Sequence, residues 1–570
     1  MLRNRFSLIL FGLMLALCVV EIQTVLSQSA GFRKITNTSE ESLNLNPTLS
    51  GDGEHIAFES TADIVHRGEG YHFRAFRADI SGDALNFLQF SLSRAVAPAI
   101  SQDGSRIAFA SNDDPLGQNL DGNSEIFLFD GAILGQITNT TPPDPSQRLH
   151  NGCFQPSISD DGRFLAFASD RDITGQNADG NSEIFIYDTA SHSFSQLTKT
   201  SVPLEMSDAK ISGDGTRIAY LSRKRDTGDE LSDLILQKPQ ENDATVVETG
   251  FQGLSLAYGR TISDDGKRTV YSAEDGNHVS QIFLYDGRND LTRQITSFTD
   301  FDDDVSFQPT ISGDGTRIAF ATRRAVTTSN SDHSVELYFY DIPTAQFMRL
   351  TSASSSAKAE IVSSLSDDGS VIAFNFPRIV SGAVEAAANA NNSEIYVSQI
   401  AQRPQNFDDL KILNGASLGN EPFHDTAVAQ GSIAVARGHA LAITTEQVHP
   451  VDDGKFPTSF RGTTVSLNGR RAQILFISPT QINFVVPDET ETGEAQIVVT
   501  NGDGFQSIGK IEILRTAPGL FTFSGDGRGE GVIMDAYTQS VGPFDQCFRV
   551  GRRRSSDSRI NRTVFQLTRT

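Results

Sequence analysis

Two stretches of this chain space oxygen-bearing side chains in a way that could hold a metal ion. One reads Gly117-Gln-Asn119-Leu-Asp121-Gly122-Asn123-Ser-Glu125, the other Gly175-Gln-Asn177-Ala-Asp179-Gly180-Asn181-Ser-Glu183. Asn119, Asp121 and Glu125, and likewise Asn177, Asp179 and Glu183, put amide and carboxylate oxygens at alternate positions around a glycine turn. Asp113, Asp114, Asp170 and Asp172 lie just upstream. Hard cations such as calcium take oxygen ligands from loops of this kind. These six residues are the candidate metal ligands, with calcium as the candidate ion and no other cofactor expected. An EF-hand is excluded, because Gly occupies the first ligand position and a strand pattern follows instead of a helix. The same residue types also build a tight loop without any ion, since Asn and Asp bond nearby backbone and Gly accepts a left-handed φ.

Other chemistry is not signalled. The ten histidines are spread thinly, and there is no His-Glu-x-x-His, no Cys pair at zinc spacing, no Gly-x-Ser-x-Gly and no phosphate loop. Gly525-Asp-Gly-Arg-Gly-Glu-Gly531 lacks the strand-to-helix setting of a nucleotide loop and reads as a plain loop. No catalytic residue is assigned.

The elements that must position these loops come from a repeat. A phrase close to Ile/Leu-Ser-x-Asp-Gly-x-x-Ile-Ala-Phe recurs with turn glycines at Gly53, Gly104, Gly162, Gly215, Gly266, Gly315 and Gly369, 49 to 58 residues apart. Asp-Gly between two apolar runs is a strong hairpin signal. The strand after each turn alternates bulky and small, as in Ile107-Ala108-Phe109-Ala110 and Ile318-Ala319-Phe320-Ala321. One face is then bulky and the other nearly bare, which suits sheets stacked face to face. A third strand follows (Ile126–Asp130, Ile184–Asp188, Ile282–Asp286, Leu337–Asp341, Ile395–Val397), then a short fourth such as Gln136-Ile137-Thr138. The weaker copies, one and four, place their third strands near Phe73–Ile80 and Leu231–Gln237. Four antiparallel strands per repeat make a propeller blade. The seventh repeat lacks a fourth strand, and Ile35-Thr36 at the start of the chain is expected to supply it beside Ile395–Val397. The Arg or Lys after many turns (Arg106, Arg163, Arg217, Lys267, Arg317) is read as a partner for the turn aspartates.

Over residues 33–400 this phrase, with Ile-Phe-x-Tyr-Asp and Gln-Leu-Thr after it, resembles the WD-like repeats of the TolB-type propellers. The expected fold is all-β: a seven-bladed β-propeller, six being the alternative count, over residues 31–400. Such scaffolds host binding proteins, peptidases and lyases alike. The expected function is non-catalytic binding or scaffolding, with the loop face recognising a protein or a cell-envelope glycan. The alternative is a propeller-type lyase or hydrolase acting on glycans or peptides. In a four-stranded blade the loop between strands two and three shares a face with the link between blades. Those segments are long here, and Asp302-Asp303-Asp304 lies in one of them, so one face should be acidic and loop-rich.

After a linker at 401–410 the pattern changes. Short strands are expected at Ser432–Ala436, Ala440–Thr444, Thr464–Leu467, Ile474–Ile477, Ile482–Val486, Ala495–Thr500 and Lys510–Leu514, which suggests a β-sandwich over 411–540. Val465-Ser-Leu-Asn-Gly469, Ile477-Ser-Pro-Thr-Gln-Ile-Asn-Phe-Val-Val-Pro487 and Ala517-Pro-Gly-Leu-Phe-Thr522 resemble an immunoglobulin-like C-terminal module of secreted bacterial proteins.

The termini and the charge bound location and partners. Arg3 and Arg5, the apolar run Phe6–Val20 and the small or polar residues 27–30 read as a signal peptide over 1–30, so the protein is expected to be secreted or periplasmic. No other segment is apolar enough for a membrane span. Residues 1–30 carry +1 and 548–570 carry +6, so the body between them holds −31 of a net −24. That acidity argues against nucleic acid as a partner. The Arg-rich stretch 541–570 reads as a disordered tail or an aberrant gene end. A monomer is expected. Only Cys153 and Cys547 would remain after cleavage, too few for a disulfide framework.

Overall fold

The computed structural model describes residues 31–542, apart from 143–151, 225–230, 240–243, 300–306, 352–360, 378–392, 402–405, 419–426, 523–532, 535–540 and a few shorter gaps. The signal-peptide reading, Asp302–Asp304, Cys547 and almost all of the tail lie outside the described residues.

Residues 32–399 form seven antiparallel sheets. The second blade shows the plan, with strands Val96–Ile100, Ile107–Ser111, Glu125–Phe129 and Leu134–Gln136 hydrogen-bonded in that order. The third repeats it with Cys153–Ile158, Phe164–Ser169, Glu183–Asp188 and Ser193–Gln196. The weak copies are complete: Arg74–Asp79 and Ser232–Gln237 are the third strands of blades one and four. Blade five keeps only three named strands, because its inner edge is reduced to bridges at Ser255–Ser272 and Ile262–Thr269. Seven blades form, not six.

The turn phrase has one geometry in all seven copies. Each Ser hydroxyl donates to the Asp carboxylate two residues on, from Ser50–Asp52 to Ser366–Asp368. Each turn Gly has φ between 64° and 74°, where a Cβ would be strained. Arg106, Arg163 and Arg317 hydrogen-bond elsewhere than to these aspartates, Arg163 to Asp188 at the end of its own third strand. Arg106 donates to the carbonyl of Gly162 and Arg317 to that of Gly369, each the turn glycine of the next blade. The turn aspartates are already satisfied locally, which frees the guanidinium for the neighbour. Lys267, beside Asp265 at 3.2 Å, follows the expected pairing.

The bulky and bare faces interlock. Ala57 and Ala75 of blade one meet Phe109 and Phe127 of blade two. Ala108 meets Phe167 and Phe185, and Ala319 meets Phe374 and Tyr396. Ala373 of blade seven meets Phe58 and Phe76 of blade one, so the packing runs right round the ring. A main-chain collar runs with it. Asp52 N donates to Gln102 O, Gln102 N to Asp160 O, Asp160 N to Gly213 O and Asp214 N to Asp264 O. Asp264 N then donates to Gly313 O, Asp314 N to Asp367 O and Asp367 N to Gly51 O, at 2.7–3.0 Å throughout.

The first strand closes the ring slightly earlier than expected. Phe32–Lys34 pairs with Ser398–Tyr396, while Ile35 and Thr36 follow as a hydrogen-bonded extension on Ile395. Blade seven thereby gains its fourth strand, and its outer edge is paired.

Beyond the propeller two sheets form a sandwich. One has the order Lys411–Asn414, Ile433–Arg437, Gln481–Val485, Gln473–Ile477, Glu446–Gln447. The other is built on Gln506–Leu514, Gly493–Thr500 and Thr463–Leu467. Val465, Ile474, Ile482, Phe484, Ile497 and Val499 fill the space between them. Two expectations are corrected. Asn406–Phe407, assigned to the linker, pairs in parallel with Gln506–Ser507 and belongs to the second sheet. Ala440–Thr444 is not a strand. It is a buried irregular segment, with Ala440 at φ 53° and Leu441 N bonded to Pro479 O. Burial explains its apolar run, and a left-handed residue interrupts the extended backbone a ladder needs.

Candidate functional site

Strand order divides the propeller into two faces. Turns between strands one and two, and between three and four, lie on one, here called the turn face. The loops between strands two and three, and the links between blades, lie on the other, the loop face.

The two metal-candidate loops join strands two and three of blades two and three, on the loop face. Each is shaped by its own side chains. The Asp114 carboxylate accepts from the N–H groups of Gln118 and Asn119, at 2.6 and 2.9 Å, and Asp172 accepts from Asn177 N. Asn119 is buried and donates through Nδ2 to the carbonyls of Asp113 and Asn123. Asn177 does the same to Asn181 O at 2.8 Å. Asp121 is half-buried, and Asp179 is exposed, accepting only from Val202 N at 3.2 Å.

Glu125 and Glu183 are committed elsewhere. Both are fully buried. Glu125 accepts from Asn123 Nδ2, from Thr140 N and Oγ1 and from the Thr138 hydroxyl. Glu183 accepts from Asn181, Thr200 and Thr198 in the same way. The carboxylate thus ties strand four to strand three. Glu336–Thr351 and Gln281–Thr296 repeat the tie in blades six and five. A buried carboxylate survives only with such donors. Sequence spacing could not separate this latch from a ligand, although the recurring Gln-Ile/Leu-Thr downstream carries the partner threonines.

The centre of the ring at the turn face holds a second cluster. The residue between Ser and Asp in the turn phrase is Asp160, Asp264 or Asp367 in blades three, five and seven, and Gly51, Gly213 or Gly313 in blades one, four and six. Blade two has Gln102 there, and at the glycines a side chain would displace the carboxylates as they now stand. A Cβ on Gly213 would lie 2.1 Å from Asp160 Oδ2, and one on Gly313 would lie 2.1 Å from Asp264 Oδ2. Oxygens of the three carboxylates lie within 4.8 Å of one another. Arg260, on the inner edge of blade five, reaches Asp367 at 2.5 Å, Asp264 at 3.1 Å and Asp160 at 3.8 Å. Desolvation, partly offset by Arg260, pushes Asp160 up to about 6 and Asp264 up to about 7. The guanidinium already serves as the cation of this carboxylate group. Neither the Asp–Gly alternation nor Arg260 forms a local motif, because their partners lie mostly in other blades.

Exposed apolar side chains complete the loop face. Among the described residues Leu120 is 90% exposed at the tip of the blade-two loop, Tyr71 67% in the corresponding loop of blade one, and Val202 54% and Leu92 52% in links between blades. Leu231 and Leu116 lie on the same face. Asp121 adjoins Leu120 in the chain, Asp179 accepts from Val202 N, and Asp113 accepts from the N–H of Arg94, two residues after Leu92. The sandwich docks on the turn face, where Asp503 meets Arg268 and Arg288 of blade five.

No curated protein matches this chain. Among solved structures it is similar to TolB from Acinetobacter baumannii, at 17% identity and a TM-score of 0.34, covering 51% of this chain and 62% of that one. It therefore spans less than two thirds of that protein. It is also similar to the β-propeller domain of the trilobed protease from Pyrococcus furiosus (15% identity, TM-score 0.40, 59% of this chain and 91% of that one). A third similar structure is an oligogalacturonate lyase from Vibrio parahaemolyticus (11% identity, TM-score 0.43, 66% and 96%). Residues 430–523 match the model of the IPT/TIG domain. Sheet topology and this match together define the chain as a seven-bladed β-propeller followed by an immunoglobulin-like IPT/TIG module.

Proposed function

We propose that this protein is a non-catalytic binding platform whose loop face, over blades one to four, receives a protein partner with a basic rim. The observation that carries this reading is the placement of Leu120, Tyr71, Val202 and Leu92. These side chains stand exposed on loops of one face, with Asp121 next to Leu120 in the chain and Asp179 bonded to Val202 N. Apolar anchors ringed by charge are the usual anatomy of a protein interface. The anchors sit on a stiff base, since Asn119 and Asp114 hold the loop that presents Leu120. The sandwich docks on the opposite face and leaves this one clear of it. A glycan partner would call for aromatic and polar stacking surfaces, and Leu and Val favour a protein instead.

We further infer an envelope or extracellular location, from the charged and apolar pattern of residues 1–30. No helix among the described residues is long and apolar enough to cross a membrane. The test is crosslinking of the full chain in envelope extract, in parallel with the Leu120→Asp and Tyr71→Asp variants. A specific partner should be lost in both variants and weakened by salt. Equal capture by wild type and variants would overturn the reading.

A further inference from the structure

The loops of blades two and three contain buried acceptors with nothing to accept. Asn119 is 3% exposed, Asn123 0%, Asn177 3% and Asn181 0%, and the Oδ1 atom of each has no hydrogen-bond partner. The amides are not reversed, because every Nδ2 is engaged. Asn119 and Asn177 donate to the main chain, and Asn123 and Asn181 donate to Glu125 and Glu183. A buried amide oxygen left without a partner costs about 1–3 kcal/mol. Each loop has two.

Blade six shows the same loop with one acceptor fewer and a hydroxyl within reach of the other. Its sequence Asn330-Ser-Asp332-His333-Ser334-Val-Glu336 matches Asn119-Leu-Asp121-Gly122-Asn123-Ser-Glu125 position by position. Asn330 again donates to the carbonyl four residues on, but here a hydroxyl stands beside its oxygen: Ser334 Oγ lies 3.1 Å from Asn330 Oδ1 and 2.6 Å from Glu336 Oε1, and its single proton is shared between the two acceptors. In blades two and three an Asn replaces that Ser and adds a second acceptor where a donor is needed. Charge differs in the same sense. Residues 112–125 hold four acids and no base, and residues 170–183 hold five charged side chains of which only Arg171 is basic. In blade six Arg323 and Arg324 balance Asp332 and Glu336 over 323–336.

We propose that each of these two loops binds a hard cation through its paired amide oxygens, Asn119 with Asn123 and Asn177 with Asn181. Oxygen donors in an acidic loop select a hard cation such as calcium over softer metals. Glu125 and Glu183 act as positioning residues that hold the second amide in place. This inference is independent of the protein partner argued above.

The experiment is calorimetry of the full chain with calcium chloride after chelation, alongside thermal unfolding. Two sites per chain are expected, with a dissociation constant on the order of 10⁻⁴–10⁻³ M and a melting temperature that rises with calcium. Asn123→Ser should remove one site, and Asn123→Ser with Asn181→Ser both, because each change removes one of the two amide oxygens while a hydroxyl, like that of Ser334 in blade six, can still donate to the buried glutamate. The double variant should melt in chelator at the wild-type temperature, which separates lost binding from lost folding. No heat and no shift at millimolar calcium would overturn the proposal and leave ordered water as the donor. Undiminished binding by the double variant would also overturn it.

Discussion

Asp503, at the tip of a sandwich hairpin, accepts from Arg268 of blade five at 2.6 Å, and both side chains are only 3% exposed. Asp286 and Arg288 complete a set of two acids and two bases, so no charge is left over. Arg461 of the sandwich donates to Asn289 O and Arg293 of the propeller to Ile443 O, on either side. The module is thereby fixed to one blade.

Removing Asp503 should undock the module. Asp503→Ala leaves Arg268 buried beside too little negative charge, at a cost of about 3–5 kcal/mol to the joined arrangement. Small-angle scattering should show a larger radius of gyration, and limited proteolysis should separate the sandwich from the propeller faster. Unchanged scattering and cleavage would mean that the remaining contacts hold the module alone.

Ring closure should rest on Thr36 and Glu394. The Thr36 hydroxyl donates to Glu394 at 2.5 Å and accepts from Ile395 N at 2.9 Å, while Thr38 N donates to the same carboxylate. Thr36→Val should cost about 1.5–3 kcal/mol, the value of a hydrogen bond to a charged group. Deleting residues 31–38 should lower the melting temperature much further, because it opens the ring. An unchanged urea midpoint for both would place the closing energy in the collar and the interlocked faces.

The central carboxylates set a pH dependence. Asp160 and Asp264 titrate at about 6 and about 7, chiefly because of desolvation, against about 3.9 in an unfolded chain. Between those values the folded state binds more protons, so stability should fall as pH rises from about 4 to about 7. Asp286 is held down at about 2 by Arg288 and Arg268 against its own desolvation, and its contribution is lost only in stronger acid. Melting temperatures across this range should show the decline in wild type and a shallower one in Asp264→Asn. Identical slopes would remove Asp264 as the cause.

Cys153 should be inert in the folded protein. It is fully buried beside Glu125, and desolvation and that carboxylate push its thiol up to about 12. Thiolate is the reactive form, so a thiol reagent should label it only after unfolding. Rapid labelling of Cys153 in the native state would show that blades two and three separate locally.

By itself the sequence determined the blade. Ser-x-Asp-Gly specifies its turn through contacts within seven residues, and Ile-Ala-Phe-Ala specifies which face is bulky, so both could be read locally. It also pointed to closure by the first strand, to within three residues of the observed pairing. Tertiary structure alone decided the roles of the polar residues. Glu125 and Asn123 are two positions apart and chemically alike as oxygen donors, yet one latches strand four and the other is left without a donor. That difference depends on Thr138 and Thr140, which only the folded blade brings alongside. Asp160, Asp264 and Asp367 are about 100 residues apart along the chain and meet only because the ring closes. Asp503 and Arg268 are 235 residues apart, and no local pattern links them. Local periodicity encodes strands and turns. Charge partners are set by which blade ends up beside which, and that follows from closure of the whole ring.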